Sequence, residues 1–203
     1  MIKDAFIGRV PSHFQVNPLV KAFIMSEMFI WSAYNFFNPI LAIFVISQIQ
    51  GGVVEHAAFG FSIYLIARVF AEIISGKLIS NYPESKRFIV IIVGLLLLSV
   101  AYYLFSISTS ILLLYLCFTL MGIGLGISTP ARLSVFSKHL DKNKESQEWS
   151  IVDSTSLVGM ALAGALGGFI ANHYGFTILF QIASITNLLS IVPYLSFIRK
   201  NKD

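Results

Sequence analysis

Cysteine, charge and catalytic clusters are all scarce in this chain. Its single cysteine, Cys117, rules out an intrachain disulfide and a dithiol redox pair. Charged residues make up only 12% of the 203 positions, too few for the solvated surface of an ordinary soluble domain. Three stretches, "SQIQGGVVEH", the turn at 108–110 and "NHYG", contain no Lys or Arg at all. No group of His, Cys, Asp and Glu has the spacing of metal ligands. The glycines of "MGIGLGIS" lie inside an apolar run rather than between a strand and a helix, so they do not form a phosphate-cradling loop. No cofactor, no metal, no ATP-driven step and no enzymatic activity are expected.

What the chain does have is apolar length. Hydrophobic residues reach 56% and aromatics 14%, the balance of an integral membrane protein. Six stretches are long enough, at about 1.5 Å per helical residue, to cross a hydrocarbon core about 30 Å thick. They run from Ala22 to Ile49, Ala57 to Ile79, Phe88 to Ile107, Ile111 to Ala131, Ile151 to Ala171 and Phe176 to Ile198. The expected organisation is an N-terminal segment over 1–20, a transmembrane bundle over 21–198 and a short tail over 199–203. "MIKDAFIGRVPSHFQVN" lacks the continuous apolar core of a signal peptide and is expected to remain attached, along the membrane surface.

The cations orient the bundle. Lys3, Arg9 and Lys21 precede the first span; Lys77, Lys86 and Arg87 lie between the second and third; Lys138, Lys142 and Lys144 between the fourth and fifth; Arg199, Lys200 and Lys202 at the end. All fall on one face, because Lys and Arg near span ends resist transfer across the bilayer. Both termini are therefore expected in the cytoplasm of a multi-pass cell-membrane protein. The net charge of +4 reads as anchoring to the inner leaflet, not as a nucleic-acid surface.

Three spans followed by three of opposite direction suggest an inverted repeat. "NP" at Asn38 and Pro39 and "TP" at Thr129 and Pro130 sit about 20 residues into the first and fourth spans, where a proline frees carbonyls to a ligand or a cavity. The competing reading is two ordinary membrane-helix prolines.

Polar residues inside the spans are the candidate site. Arg68 and Glu72 in "YLIARVFAEIISG" stand four residues apart, on one face with Tyr64. A charge at the centre of a spanning helix costs about 2.5 to 3.5 kcal/mol, so a paired position facing a cavity is expected; the plainer alternative is a self-neutralising i, i+4 pair. Glu27, Trp31, Asn35 and Asn38 form one stripe at spacings of four, four and three, and lipid offers such groups no partners. Glu27 and Glu72 are candidates for proton coupling, since two carboxylates sharing a site push one another toward the protonated form. Glu27 snorkelling to the interface is the alternative. Trp31, Asn35, Asn38, Tyr64 and Arg68 are candidates for solute binding, with Trp31, Tyr34 and Tyr64 offering flat faces with polar edges. Arg132 and Asp153 are candidates for a gate; equally, Asp153 complements the positive end of its own helix. His139 and Asp141 read as solvated loop residues.

The loop "GKLISNYPESKR" resembles the one between the second and third helices of the major facilitator superfamily, G-x-L-x-D-R-x-G-R-K/R, through Gly76, Leu78, Lys86 and Arg87. Ser80 replaces its acid and Pro83 its later glycine. "GMALAGALGG", Gly159 to Gly168, is similar to the family's fifth-helix motif with Ala163 and Gly164 in place of the central Gly-Pro. "FTLMGIGLGISTPARL" resembles the fourth-helix glycine run, with Phe118 where an arginine is customary, and "NHYGFTILF" the turn into the sixth helix.

The resemblance covers essentially the whole chain but one of the family's two six-helix bundles. It implies an all-α membrane fold of six transmembrane helices in a 3+3 inverted repeat. It also implies secondary transport of a small organic solute by alternating access; Glu27, Glu72 and the lack of a nucleotide-binding loop favour protons as the coupling partner, and the amides, tyrosines, tryptophan and charge pair favour sugars or similar polar solutes. A parallel homodimer would supply the second bundle, a heterodimer being the alternative. Drug/proton antiport and a non-transporting membrane assembly or sensor protein are the rival readings.

Overall fold

The computed structural model describes residues 17–200, and within them the chain is helical throughout. The terminal stretches expected as a surface-lying segment and a tail lie largely outside these residues. Helix α1 runs Pro18–Asn35, and after a single 3-10 turn over Asn38–Ile40, α2 continues as Leu41–Gln48. Then follow α3 (Val54–Ile79), α4 (Glu84–Ser106), α5 (Ile111–Lys138), α6 (Glu145–Leu189) and α7 (Val192–Lys200).

Helix α1 starts a little before the apolar run because Asn17 and Pro18 make a good helix start: Asn17 Oδ1 accepts from the Leu19 amide at 3.0 Å, and Pro18 sits where a missing N–H costs nothing. The two prolines behave differently. Pro39 interrupts its helix, producing the 3-10 turn between α1 and α2, whereas Pro130 stays inside a continuous α5. At Pro130 the Thr129 hydroxyl turns back to the Leu125 carbonyl at 2.7 Å.

Among the described residues five helices are long and apolar enough to cross a membrane: Pro18–Gln48, Val54–Ile79, Glu84–Ser106, Ile111–Lys138 and Glu145–Leu195. The fifth is 51 residues long and is broken at Gly175, whose φ of 85° and ψ of 167° are not helical. A side chain would be strained there, and glycine is not. Contacts on the two sides of this break run in opposite senses. Before it, Gly159 lies on Met28 and Ser32, and Gly167 on Phe36, so the chain climbs with α1. After it, Ser184 meets Ser99, Asn187 meets Leu95, and Tyr194 meets Phe88, so the chain descends along α4.

In lipid there is no hydrophobic gain from helix pairing, so close backbone approach and interhelical hydrogen bonds must supply the cohesion. Helix α5 shows how. A Cβ at Gly122 or Gly126 would press into α3, and one at Gly124 into α4. Alternate glycines therefore let α5 lie flush between two neighbours. Elsewhere Asn187 donates to the Leu95 carbonyl at 2.9 Å and to Ser99 Oγ at 2.7 Å, tying the second arm of α6 to α4. At the end away from the basic loops the core is aromatic: Phe105 stacks on Phe180 at 5.2 Å, and Phe44 meets the same ring edge-on at 4.8 Å.

At the basic end Arg87 is buried, donating to the Tyr82 carbonyl at 3.0 Å and to Ser134 Oγ at 2.7 Å, while His139 lies 3.6 Å from Glu84. The loop that lacks its customary acid at Ser80 is thus fastened to α5 by neutral partners and a histidine. Glu148, fully buried in the first turn of α6, accepts from the Asp141 amide at 3.2 Å and orders the preceding loop.

Candidate functional site

Two guanidinium–carboxylate pairs lie within the spanning helices. The first is local. Arg68 Nε stands 3.3 Å from Glu72 Oε2, and Arg68 Nη1 lies 3.4 Å from the Tyr64 hydroxyl, all on one face of α3. Tyr64 is buried, but the two charged side chains keep 25% and 36% of their surface. Gly122 and Gly126 allow α5 to pack against the backbone at Tyr64, Arg68 and Glu72, which fixes the height of this pair in the bundle.

The second pair joins residues 105 apart in sequence. Glu27 of α1 accepts from Arg132 Nη1 of α5, and both are almost fully buried. Arg132 Nη2 also reaches Thr129 Oγ1 at 3.3 Å, and the Trp31 indole donates to the other oxygen of Glu27 at 3.0 Å. Beside the pair the Tyr194 hydroxyl faces Ser26, and Arg132 Nε has no protein partner among the described residues. Such an atom is commonly satisfied by internal water.

Glu27 and Trp31 also line a cleft of about 340 Å³ between α1 and α6, whose other wall carries Trp149, Asp153, Ser156 and Met160. The residues singled out from sequence therefore fall into two groups. Glu27, Trp31 and Asp153 share this cleft, with Arg132 directly behind Glu27. Tyr64, Arg68 and Glu72 form the group on α3. Sequence spacing set Arg132 against Asp153 and Glu27 against Glu72; in the structure each carboxylate of the last two has its own arginine, and Asp153 is exposed on the cleft wall. Asn35 turns its amide to its own helix, donating to the Trp31 carbonyl at 3.0 Å, and Asn38 sits half-exposed in the 3-10 turn. Tyr34 of α1 meets the Trp31 ring edge-on at 6.3 Å, beside the first of these groups.

Sequence reasoning passed over Trp149, Ser156 and Asn187. For Asn187 a signal existed, because an amide in the middle of an apolar span needs a partner on another helix. Trp149 offered none, standing in a polar stretch before its span.

Comparison with known proteins agrees with this architecture. The profile of the Major Facilitator Superfamily matches residues 23–203. An uncharacterized MFS-type transporter of Methanocaldococcus jannaschii is 26% identical over 108 residues, covering 53% of this chain and 28% of the relative. The fold is similar to that of the POT family transporter PepTSo, with a TM-score of 0.77 at 17% identity, covering 87% of this chain and 36% of that one. It is also similar to a mutant of the peptide transporter POT in complex with alafosfalin, with a TM-score of 0.74 at 22% identity, covering 90% and 38%. The chain thus spans well under half the length of the relatives it matches.

Proposed function

The chain belongs to the major facilitator superfamily, and from that premise we propose that it moves a small polar organic solute across the membrane by alternating access, coupled to protons. The observation that carries this reading is the presence of two guanidinium–carboxylate pairs inside lipid-length helices, one of them bordering a cleft. An unpaired charge there is costly, and intramembrane ionisable residues mark solute or proton pathways. Glu27 is the coupling group: when it takes a proton it releases Arg132, and Trp31 remains to hold the cleft wall. Glu72 does the same for Arg68, which then becomes free to meet a solute carboxylate or hydroxyl together with Tyr64.

In this reading α6 makes two crossings that reverse at Gly175, giving six spans in a 3+3 inverted repeat with both termini cytoplasmic. The opposite running of contacts on its two arms supports this. Arg68 and Glu72 keep a quarter to a third of their surface on the outside of the bundle, where lipid would leave them unsatisfied. A second bundle, supplied by a parallel second copy of this chain, covers that side and completes the pathway.

The test is uptake into proteoliposomes with and without a proton gradient, over sugars, amino acids and short peptides. Gradient-driven uptake that is abolished in Glu72→Gln and in Glu27→Gln is expected; uptake unchanged in both variants overturns the coupling role. A second reading, export of amphipathic cations in exchange for protons, is favoured by the cleft itself. Trp31, Trp149 and Met160 give it apolar walls, while Asp153, exposed on the wall, gives it negative charge. Stabilisation by a lipophilic cation but by no neutral solute would select it.

A further inference from the structure

On the opposite side of the α3–α5 seam from Arg68 and Glu72 lies an apolar groove. Ala71, Ile74 and Leu78 of α3 form one wall, Ile123 and Ile127 of α5 the floor, and Val90 of α4 the other wall, enclosing about 520 Å³. The groove exists because α3 and α4 both pack on α5 but hardly touch each other. It is open to the surroundings: Phe70, Ile74 and Leu78 are 65%, 58% and 54% exposed. Two hydroxyl-bearing residues line it: Ser75, already engaged with the Ile127 carbonyl at 2.8 Å, and Tyr82 at its end, so between Ala67 and Ile79 the wall offers no polar side chain in need of a partner.

Length and charge distinguish its occupant. From Ala67 to Ile79 the groove follows about 18 Å of helix, close to the half-thickness of a hydrocarbon core, about 15 Å. It ends at Tyr82, and Lys86 stands over that ring at 5.7 Å. Lys77 is exposed on α3 one position before the groove residue Leu78. Arg87, the other cation nearby, is already used by the Tyr82 carbonyl and Ser134. Neither Lys77 nor Lys86 takes part in an ion pair described among these residues.

We infer that this groove is a binding site for an anionic phospholipid, with one acyl chain between α3 and α4 on the α5 floor and the headgroup phosphate held by Lys77 and Lys86. Apolar walls hold the chain of any phospholipid. The two lysines add a preference for a headgroup with net negative charge, and neither depends on the transport reading. By filling the gap between α3 and α4, the lipid supplies the contact those helices do not make with one another.

Native mass spectrometry of the purified full chain, delipidated and then exposed to palmitoyl-oleoyl phosphatidylglycerol or to phosphatidylcholine with the same chains, tests the assignment. Phosphatidylglycerol is expected to be retained preferentially. Lys77→Gln and Lys86→Gln each reduce that preference by about fivefold, and Ile74→Trp, which fills the groove from an exposed position, reduces retention of both lipids. Equal retention of the two lipids by the unaltered chain overturns the proposal, as does an Ile74→Trp variant that holds as much lipid as the unaltered chain. If Ile74→Trp instead converts a dimer to a monomer with lipid unchanged, the groove is covered by a second copy and the proposal fails. Thermal unfolding and elution volume identify any variant that does not fold, and the exposed lysine pair then carries the test alone.

Discussion

The two ion pairs share one chemistry and differ in everything else. Arg68–Glu72 lies along a single helix, one turn apart, and remains partly exposed; Glu27–Arg132 lies across two helices and is closed off from its surroundings. A pair along one helix forms whenever the helix does, and contributes a few tenths of a kcal/mol to it. A pair across helices forms only when both are already in place, so it reports the assembly of the bundle. Its burial also makes each partner hostage to the other, because removing one leaves an uncompensated charge. The first pair can therefore change partners at little structural cost, while the second, together with the stacked rings of Phe23 and Phe136, holds α1 to α5.

The largest effect should come from breaking the buried pair on one side only. Arg132→Met is expected to lower stability by about 3 to 5 kcal/mol, with Arg132→Met combined with Glu27→Leu recovering most of that loss, as measured by denaturation in a mild detergent. Equal destabilisation in the single and double variants would show that packing around Arg132, not charge, holds α1 in place. Next is the seam under the exposed pair. Gly126→Ala puts a methyl 2.7 Å from both Ala71 Cβ and the Arg68 carbonyl, and a loss of about 1 to 3 kcal/mol is expected from the overpacking. Gly168→Ala, with nothing within 4 Å of the added atom, is the matched control.

Removing the exposed pair as a unit should scarcely register. Arg68→Met combined with Glu72→Leu is expected to cost no more than about 0.5 kcal/mol of stability, while abolishing uptake if the proposed function holds. The smallest effect is that of salt. Between low and near-molar ionic strength the contribution of Arg68–Glu72 should fade while that of Glu27–Arg132 persists, since screening reaches only charges open to solvent. Double-mutant cycles at the two salt levels would measure it.

This contrast also explains what could be read from the chain and what could not. Arg68–Glu72 was legible because a four-residue spacing in an apolar run fixes the geometry once a helix is assumed. The interruption at Pro39 and the packing role of the glycines in α5 followed from backbone chemistry in the same way. Glu27–Arg132 was not legible, since spacing along a helix says which face a residue occupies but not which distant helix faces it. Asp153, nearer to Arg132 in sequence, was the more obvious partner for the same reason. The long fifth helix is the intermediate case: "NHYG" marks a turn, but the helical geometry on both sides of Gly175 leaves one residue to carry the change of direction.

The alternating glycines of α5 also bear on how the bundle can move. With no side chains to act as rollers at Gly122, Gly124 and Gly126, α5 cannot rotate between α3 and α4 without driving backbone into backbone. Those three helices are expected to travel as one slab. Any rocking then falls to α1 and the first arm of α6, and the Glu27 carboxylate is the charged bolt across that parting line, set beside the rings of Phe23, Phe136 and Trp149.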